Sequence, residues 1–240
     1  MRVLAIDCAT TTVGLALLDE GEVRAELFLD LARHHAEVLL PALDGLLALA
    51  GRAPQDVDLL ACTVGPGSFT GLRMGVSTVK GLALAWGTPV AAVSTLAALS
   101  LNLGPCPNLI CPLLDARREQ VYAGLYRIGP DGIPRAAQPD RISAVAGVLG
   151  ELPDEPIVFL GDGALRYAQL IREMTHGRAI VGCGGHNRIM ASRVGIIGLA
   201  RYREGDSVDA RTFAPRYLRL SEAESTYGKR PGNADKKLTL

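Results

Sequence analysis

Two short apolar runs that each end on an aspartate, Val3-Leu4-Ala5-Ile6-Asp7 and Leu109-Ile110-Cys111-Pro112-Leu113-Leu114-Asp115, set the plan of this chain. Each is followed within a few residues by another run, Gly14 to Asp19 and Val121 to Ile128, and so reads as a buried strand folded back on a partner. In the first case Glu20-Gly21 turns the chain once more into Glu22 to Leu29, making a three-strand antiparallel meander. The pattern then predicts a helix from about Ala36 to Ala50 ended by Gly51, a strand over Leu59 to Val64, a helix over Thr70 to Trp86 ended by Gly87, and a strand over Val90 to Val93. The order is β-β-β-α-β-α-β.

From Asn108 a comparable order begins again. Strands are expected at Leu109 to Leu114 and Val121 to Ile128, a helix near Ser143 to Leu149, a strand at Ile157 to Leu160, a helix over Ala164 to Met174, a strand at Ala179 to Val181 and a helix over Met190 to Tyr202. Topology is duplicated more than residues are. Each half matches the ribonuclease H-like core of the actin and hexokinase group, so the expected fold is α/β, a duplicated actin-like (ASKHA) arrangement of two mixed sheets. The boundary falls in Gly104-Pro105-Cys106-Pro107, where two prolines forbid regular helix. That gives an N-terminal domain over 1–104, a C-terminal domain over 105–227 and a tail, expected to be mobile, over 228–240.

Lys plus Arg and Asp plus Glu each total 25, so no overall field exists to hold a polyanion or an anionic membrane. Any RNA contact must be local or shared with a partner. The five cysteines are odd in number and lack a C-x-x-C spacing, which reads as reduced thiols in a cytoplasm. The N-terminus carries no secretory signal pattern. Residues 81–114 carry no formal charge, but Gly87, Pro89, Asn102, Gly104, Pro105 and Pro107 interrupt them, which argues against a membrane span.

In such a fold a nucleotide lies between the halves, and the first hairpin of each supplies an Asp and a small-residue turn. Asp7-Cys8-Ala9-Thr10 has the Asp and the Thr, with Ala9 where a glycine would let backbone amides come closest; Asp7 is open to a phosphate role or to capping its turn. Asp115-Ala116-Arg117-Arg118 puts two long cations where the turn should be smallest, so pairing with a cation is favoured for Asp115. Gly65-Pro66-Gly67-Ser68-Phe69-Thr70-Gly71-Leu72-Arg73-Met74-Gly75 lies between a strand and a helix. A glycine-rich loop there can bind phosphate, with Asp7, Thr10, Gly65, Gly67 and Ser68 as the candidate set, or it can be a tight turn with Ser68 or Thr70 as the N-cap. It lacks the ending of a P-loop and the spacing of a dinucleotide fingerprint. Asp162, before a helix, reads as a cap or as the border of an adenosine pocket. His34, His35, His176 and His186 form no metal-binding spacing, Ser68 lacks a nucleophile elbow, and Cys62 lies inside a strand.

The two N-terminal helices carry more apolar and small surface than one sheet requires. Gly71, Gly75, Thr78, Leu82 and Ala85 follow one stripe, while Leu72, Val76, Val79, Ala83 and Trp86 follow a second. Interior glycines cost about 1 kcal/mol each in helix propensity unless close contact compensates. Leu39, Leu43, Leu46 and Ala50 overlap a stripe of Ala36, Leu40, Leu43 and Leu47. Both helices are open to a partner or to burial within their own domain.

Leu4-Ala5-Ile6-Asp7 with Thr10, Arg33-His34-His35-Ala36-Glu37-Val38-Leu39-Leu40-Pro41, the 65–75 loop with Lys80-Gly81-Leu82-Ala83, and Leu114-Asp115-Ala116-Arg117 with Val121-Tyr122 resemble the TsaB (YeaZ) family, up to Pro215-Arg216-Tyr217-Leu218-Arg219. The resemblance implies a non-catalytic dimerization and scaffold subunit of the bacterial machinery that forms N6-threonylcarbamoyladenosine at position 37 of tRNAs reading codons that begin with A. Its implied partners are TsaD, which holds the catalytic metal, the ATPase TsaE, and tRNA through the complex; alone, the chain is open to a homodimer or a monomer. TsaD pairing through the first two helices implies an interface of His35, Leu39, Leu40, Leu43, Leu46, Leu47, Gly71, Met74, Gly75, Thr78 and Leu82. TsaD-like proteins carry two metal-binding histidines four apart where this chain has Thr95 and Leu99, so no metal and no cofactor of its own is expected, and ATP or ADP binding is expected to be weak at best. The competing reading is an autonomous nucleotide-dependent enzyme of this fold or a peptidase homologue.

Overall fold

A computed structural model describes residues 1–30 and 35–219. The first half contains β1 (Arg2–Asp7), β2 (Thr12–Asp19), β3 (Glu22–Asp30), α1 (His35–Leu49), β4 (Leu59–Gly65), α2 (Phe69–Trp86), β5 (Val90–Ser94) and α3 (Thr95–Ser100). The second contains β6 (Leu109–Asp115), β7 (Gln120–Ile128), β8 (Pro134–Ala144), α4 (Val145–Gly150), β9 (Ile157–Leu160), α5 (Asp162–Arg166), α6 (Ala168–Met174), β10 (Ala179–Val181) and α7 (Ala191–Arg203). Strand orders are β3-β2-β1-β4-β5 and β10-β9-β6-β7-β8. In each sheet a meander pairs antiparallel, and the later strands join parallel to the first strand of that half.

Alternation along β1 shows how the sheets are layered. Leu4 and Ile6 join the cluster formed with Leu39, Leu43, Leu46 and Leu47 of α1 and Val76, Val79 and Ala83 of α2. Val3 and Ala5 point the other way, into a cluster with α3, α7 and the inner face of the second sheet at Ile110, Leu114, Tyr126, Val158 and Leu160. Leu109, Cys111, Leu113 and Phe159 face outward under α4 and α6. The two halves therefore share one central core, with α1 and α2 on the outer face of one sheet and α4 and α6 on that of the other. The uncharged run 81–114 supplies the end of α2, β5, α3 and β6, including core residues from Val90 to Leu114, which accounts for its composition. Among the described residues no helix is long and apolar enough to cross a membrane.

Three elements differ from expectation. β8 occupies residues read as loop, and Ser143 and Ala144 belong to it rather than to the following helix. It is an edge strand, carrying Pro134, Pro139 and polar side chains with no buried face, so it lacks the alternation that marks a half-buried strand. α3, six residues and wholly buried, was not anticipated, because a short apolar run lacks a distinguishing period. The helix expected over Ala164 to Met174 begins at Asp162 and breaks at Tyr167, giving α5 and α6.

The chain also crosses back. α7, expected in the second half, lies on the first sheet: a side chain at Gly195 would overlap Leu18, and a β-carbon at Gly198 would lie 2.6 Å from the Ala61 Cβ. Arg201 Nη1 donates to the Ala92 carbonyl at 2.5 Å, and Val208 N to Val90 O at 2.8 Å. The second half's residues 191–213 are thus packed on the first. A further tie joins β5 to β7 and β8: Ser94 Oγ donates to Asp140 at 2.5 Å, and the Tyr126 hydroxyl donates to the other Asp140 oxygen. Burial and the neighbouring Asp140 charge push the Tyr126 hydroxyl pKa up, so it stays a donor. The expected mobile tail, 228–240, lies outside the described residues.

Buried Thr95 Oγ1 has no hydrogen-bond partner. Thr95→Val keeps its shape and removes that group, and should raise stability by about 1 kcal/mol in urea unfolding. Glycines of α1 and α2 should separate into two classes in the same experiment. Gly45 and Gly81 have open space where a side chain would go, and Ala at either should stabilise by about 0.5–1 kcal/mol. At Gly71 the added carbon would overlap the Cys8 carbonyl oxygen, and Gly71→Ala should cost about 3 kcal/mol.

Candidate functional site

A ligand of an open α/β fold lies at the carboxyl ends of its parallel strands, here those of β1 and β4 in one sheet and of β6 and β9 in the other. Asp7, at the end of β1, is completely buried; its Oδ1 accepts from Ala9 N at 3.2 Å and from Thr63 Oγ1 of β4 at 2.6 Å. The carboxylate thereby fixes its own turn and joins two strands. Thr10 Oγ1 lies 2.8 Å from Thr12 Oγ1. Gly67 packs on the Ala9 carbonyl with no room for a side chain, and Ser68 N donates to that same oxygen at 2.7 Å. The Ser68 hydroxyl accepts from Gly71 N at 3.3 Å and is the N-cap of α2, and Gly65 faces the Arg216 carbonyl. The five residues Asp7, Thr10, Gly65, Gly67 and Ser68 are therefore gathered in one place, with the glycine-rich loop folded against the chain's own β1–β2 turn.

On the other side, Asp115 Oδ1 accepts from Arg117 N at 3.1 Å, and Oδ2 pairs with Arg166 at 2.6 Å. Arg117, Arg118 and Glu119 are three successive non-glycine residues in the left-handed region, φ 61, 53 and 57°, an unusual backbone for a β6–β7 turn. Asp162 sits in the first turn of α5, after the N-cap Gly161, and accepts from Asp115 N at 3.0 Å and Gly163 N at 2.8 Å, so it ties β6 to α5 rather than capping as expected. Burial pushes its carboxyl pKa up.

The thiols offer no nucleophile among the buried cysteines. Burial pushes Cys8 and Cys62 well up, helped by the charge of Asp7, and Cys111 up to about 12, so all three stay protonated near neutrality. Among the described residues no group of three or more His, Cys, Asp or Glu is placed to hold a metal ion. Thr95 and Leu99 are fully buried in α3, between the sheets.

Gly71 and Gly75, at the start of the small stripe of α2, face inward, which corrects those two positions of the interface drawn from sequence. Gly71 lies against the Cys8 carbonyl, and a β-carbon at Gly75 would sit 3.1 Å from the Cys8 Cβ. Leu39, Leu43, Leu46 and Leu47 are buried against the sheet and α2. Those six residues cannot meet a partner, because their own domain covers them. Leu40 is 47% exposed, and Met74, Thr78 and Leu82 are half-buried at the edge of the outward surface; the His35 side chain lies outside what the structure describes. The outward faces consist instead of Leu40, Pro41, Gly45, Ala48 and Leu49 on α1, and Met74, Ser77, Gly81, Leu84 and Ala85 on α2. Leu49 is 91% and Leu84 58% exposed. The spacing 74, 77, 81, 85 is present in the sequence, beside the 71, 75, 78, 82 stripe whose glycines make it the more conspicuous of the two.

Sequence reasoning also missed a strap formed by Phe213 to Arg219. Phe213 is buried under α2, Arg216 N donates to Val64 O at 2.7 Å, and the Tyr217 ring stacks on Phe69 with centroids 4.0 Å apart. Arg73 Nε donates to the Tyr217 hydroxyl at 3.0 Å, and its guanidinium lies 4.8 Å from the Phe69 ring centre. Arg219 reaches the second half, donating to Ala116 O at 2.7 Å and to the Gln120 side chain. No local periodicity announces such a segment.

A family model described as TsaD, tRNA N6-adenosine threonylcarbamoyltransferase, matches residues 29–227. The tRNA threonylcarbamoyladenosine biosynthesis protein TsaB of Bacillus subtilis is 36% identical over 229 residues, 95% of this chain and 98% of that protein. The Haemophilus influenzae protein of the same name is 28% identical, covering 97% of this chain and 98% of its own. Among solved structures, YeaZ from Pseudomonas aeruginosa superposes with a TM-score of 0.78 at 29% identity, over 90% of this chain and 99% of that one. A hexokinase of the ROK type from Thermus thermophilus, TM-score 0.51 at 13% identity over 85% of this chain and 100% of that one, shares the fold alone. With the Bacillus relative matched almost end to end, this chain belongs to the TsaB, or YeaZ, family of tRNA threonylcarbamoyladenosine biosynthesis proteins.

Proposed function

We propose that this chain is a non-catalytic scaffold subunit that pairs with a TsaD-type transferase, and through it with TsaE and tRNA, to form N6-threonylcarbamoyladenosine at position 37 in the cytoplasm. The observation that carries the reading is the outward surface of α1 and α2. Leu40, Leu49 and Leu84 are left in water beside Gly45 and Gly81, where an added β-carbon would meet nothing within 4 Å beyond its own turn of helix. Fully burying one leucine stabilises an association by roughly 1.5–3 kcal/mol, and glycines on the same faces let a second pair of helices approach at backbone distance. A four-helix arrangement fits such a surface.

The accessory role has separate support. At the two positions where TsaD-like relatives carry metal-binding histidines this chain has Thr95 and Leu99, neither of which can ligate through nitrogen, and both are sealed in the central core. Asp7 and Ser68, the residues best suited to a nucleotide, are engaged in holding strands and capping α2. The chain on this reading holds no cofactor and binds nucleotide weakly at best.

A reconstituted assay of tRNA modification should require both this chain and the transferase; transfer of threonylcarbamoyl, or peptide hydrolysis at enzymatic rates, by this chain alone would contradict the proposal. Gly81→Arg places a long cation in the open face and should leave thermal unfolding within a few degrees of the parent while weakening association with the transferase by about 30-fold or more, read by calorimetric titration. Unchanged affinity would refute the surface. Gly75→Arg, by contrast, should unfold the protein, since the Cys8 side chain occupies that space.

A further inference from the structure

The strap runs from one sheet to the other across strand ends at which an open α/β fold offers a ligand site. Its two anchors lie at the carboxyl ends of strands in different halves. Arg216 N is bonded to Val64 at the end of β4, where only the bare α-carbon of Gly65, at φ 126°, admits the Arg216 carbonyl. Three residues later the Arg219 guanidinium is bonded to Ala116, the residue after β6, and to Gln120 at the start of β7. Between them Tyr217 is held on Phe69 and Arg73, at the start of α2. Strand ends of this kind are where ligands of open α/β sheets bind, and closure around a ligand is what normally joins the two halves of a hinged molecule.

We propose that Arg216–Arg219 is a built-in latch: the chain's own backbone and one arginine span the strand ends of the two sheets and hold them together in place of a bound ligand. The Ser94–Tyr126–Asp140 cluster joins the halves elsewhere, so the latch sets the opening at the strand ends, not the existence of the assembly. The device has two ends, and its signature is coupling: cutting either end releases the other. Two unrelated surface contacts would show no such coupling.

Hydrogen exchange of the full chain, resolved by peptide, tests this. Arg219→Ala removes both bonds to the second half, and Arg216→Pro removes the donor to Val64. Each should speed exchange at least tenfold both in peptides over residues 63–68 and in peptides over 115–120, while leaving the β2–β3 hairpin, 12–30, unchanged. Acceleration confined to the mutated end, or none at either end, would overturn the latch. Should Arg216→Pro fail to fold, Tyr217→Ala, at the surface of the strap, supplies the same test from the first-half side with the same two outcomes.

Discussion

The approach of α2 to the Cys8–Ala9 turn decides most of what this molecule presents to its surroundings. At Gly67, Gly71 and Gly75 the helix and its leading loop come so close to that turn that a side chain would meet the Cys8 or Ala9 atoms. Close packing of this kind is intolerant of added volume. It sets the rotation of α2 about its own axis, and with it which residues face water: Met74, Ser77, Gly81, Leu84 and Ala85 follow outward because 71 and 75 are inward. The same contact engages Ser68 N, which is bonded to Ala9 where a phosphate loop would leave its amides free. One packing decision thus ties up a loop amide and exposes a helical face.

A fold shared with nucleotide-dependent kinases need not carry their chemistry. Here the halves are held by protein: α7 crosses to the first sheet, Asp140 receives Ser94 of the first half and Tyr126 of its own, and the strap spans the strand ends. On the proposed reading, a two-sheet body with an apolar, glycine-bearing helical surface positions another protein.

Much of this was legible in the sequence for physical reasons. Buried strands such as Val3 to Asp7, and helices bounded by Gly51 and Gly87, announce themselves through apolar runs and turn residues, and the duplicated order followed from them. What escaped was non-local or one-sided. β8 has no buried face to impose alternation; α3 is too short to display a period; the strap is defined only by partners about 100 to 150 positions away, from Tyr217 with Phe69 and Arg73 to Arg219 with Ala116. The helical stripes failed differently. The sequence revealed that α2 has two small or apolar faces but not which one met the β1–β2 turn, because the contacts that select glycine there, the Cys8 and Ala9 carbonyls and the Cys8 side chain, come from a turn about 60 residues away.

Hydroxyl-radical footprinting of this chain, free and mixed with a TsaD-type transferase, tests the central claim most directly. Modification at Leu40, Leu49, Met74 and Leu84 should fall together on mixing, while exposed Ile180 and Leu165 on the second half stay as reactive as before. Protection elsewhere, with those four side chains still reacting freely, would contradict the account.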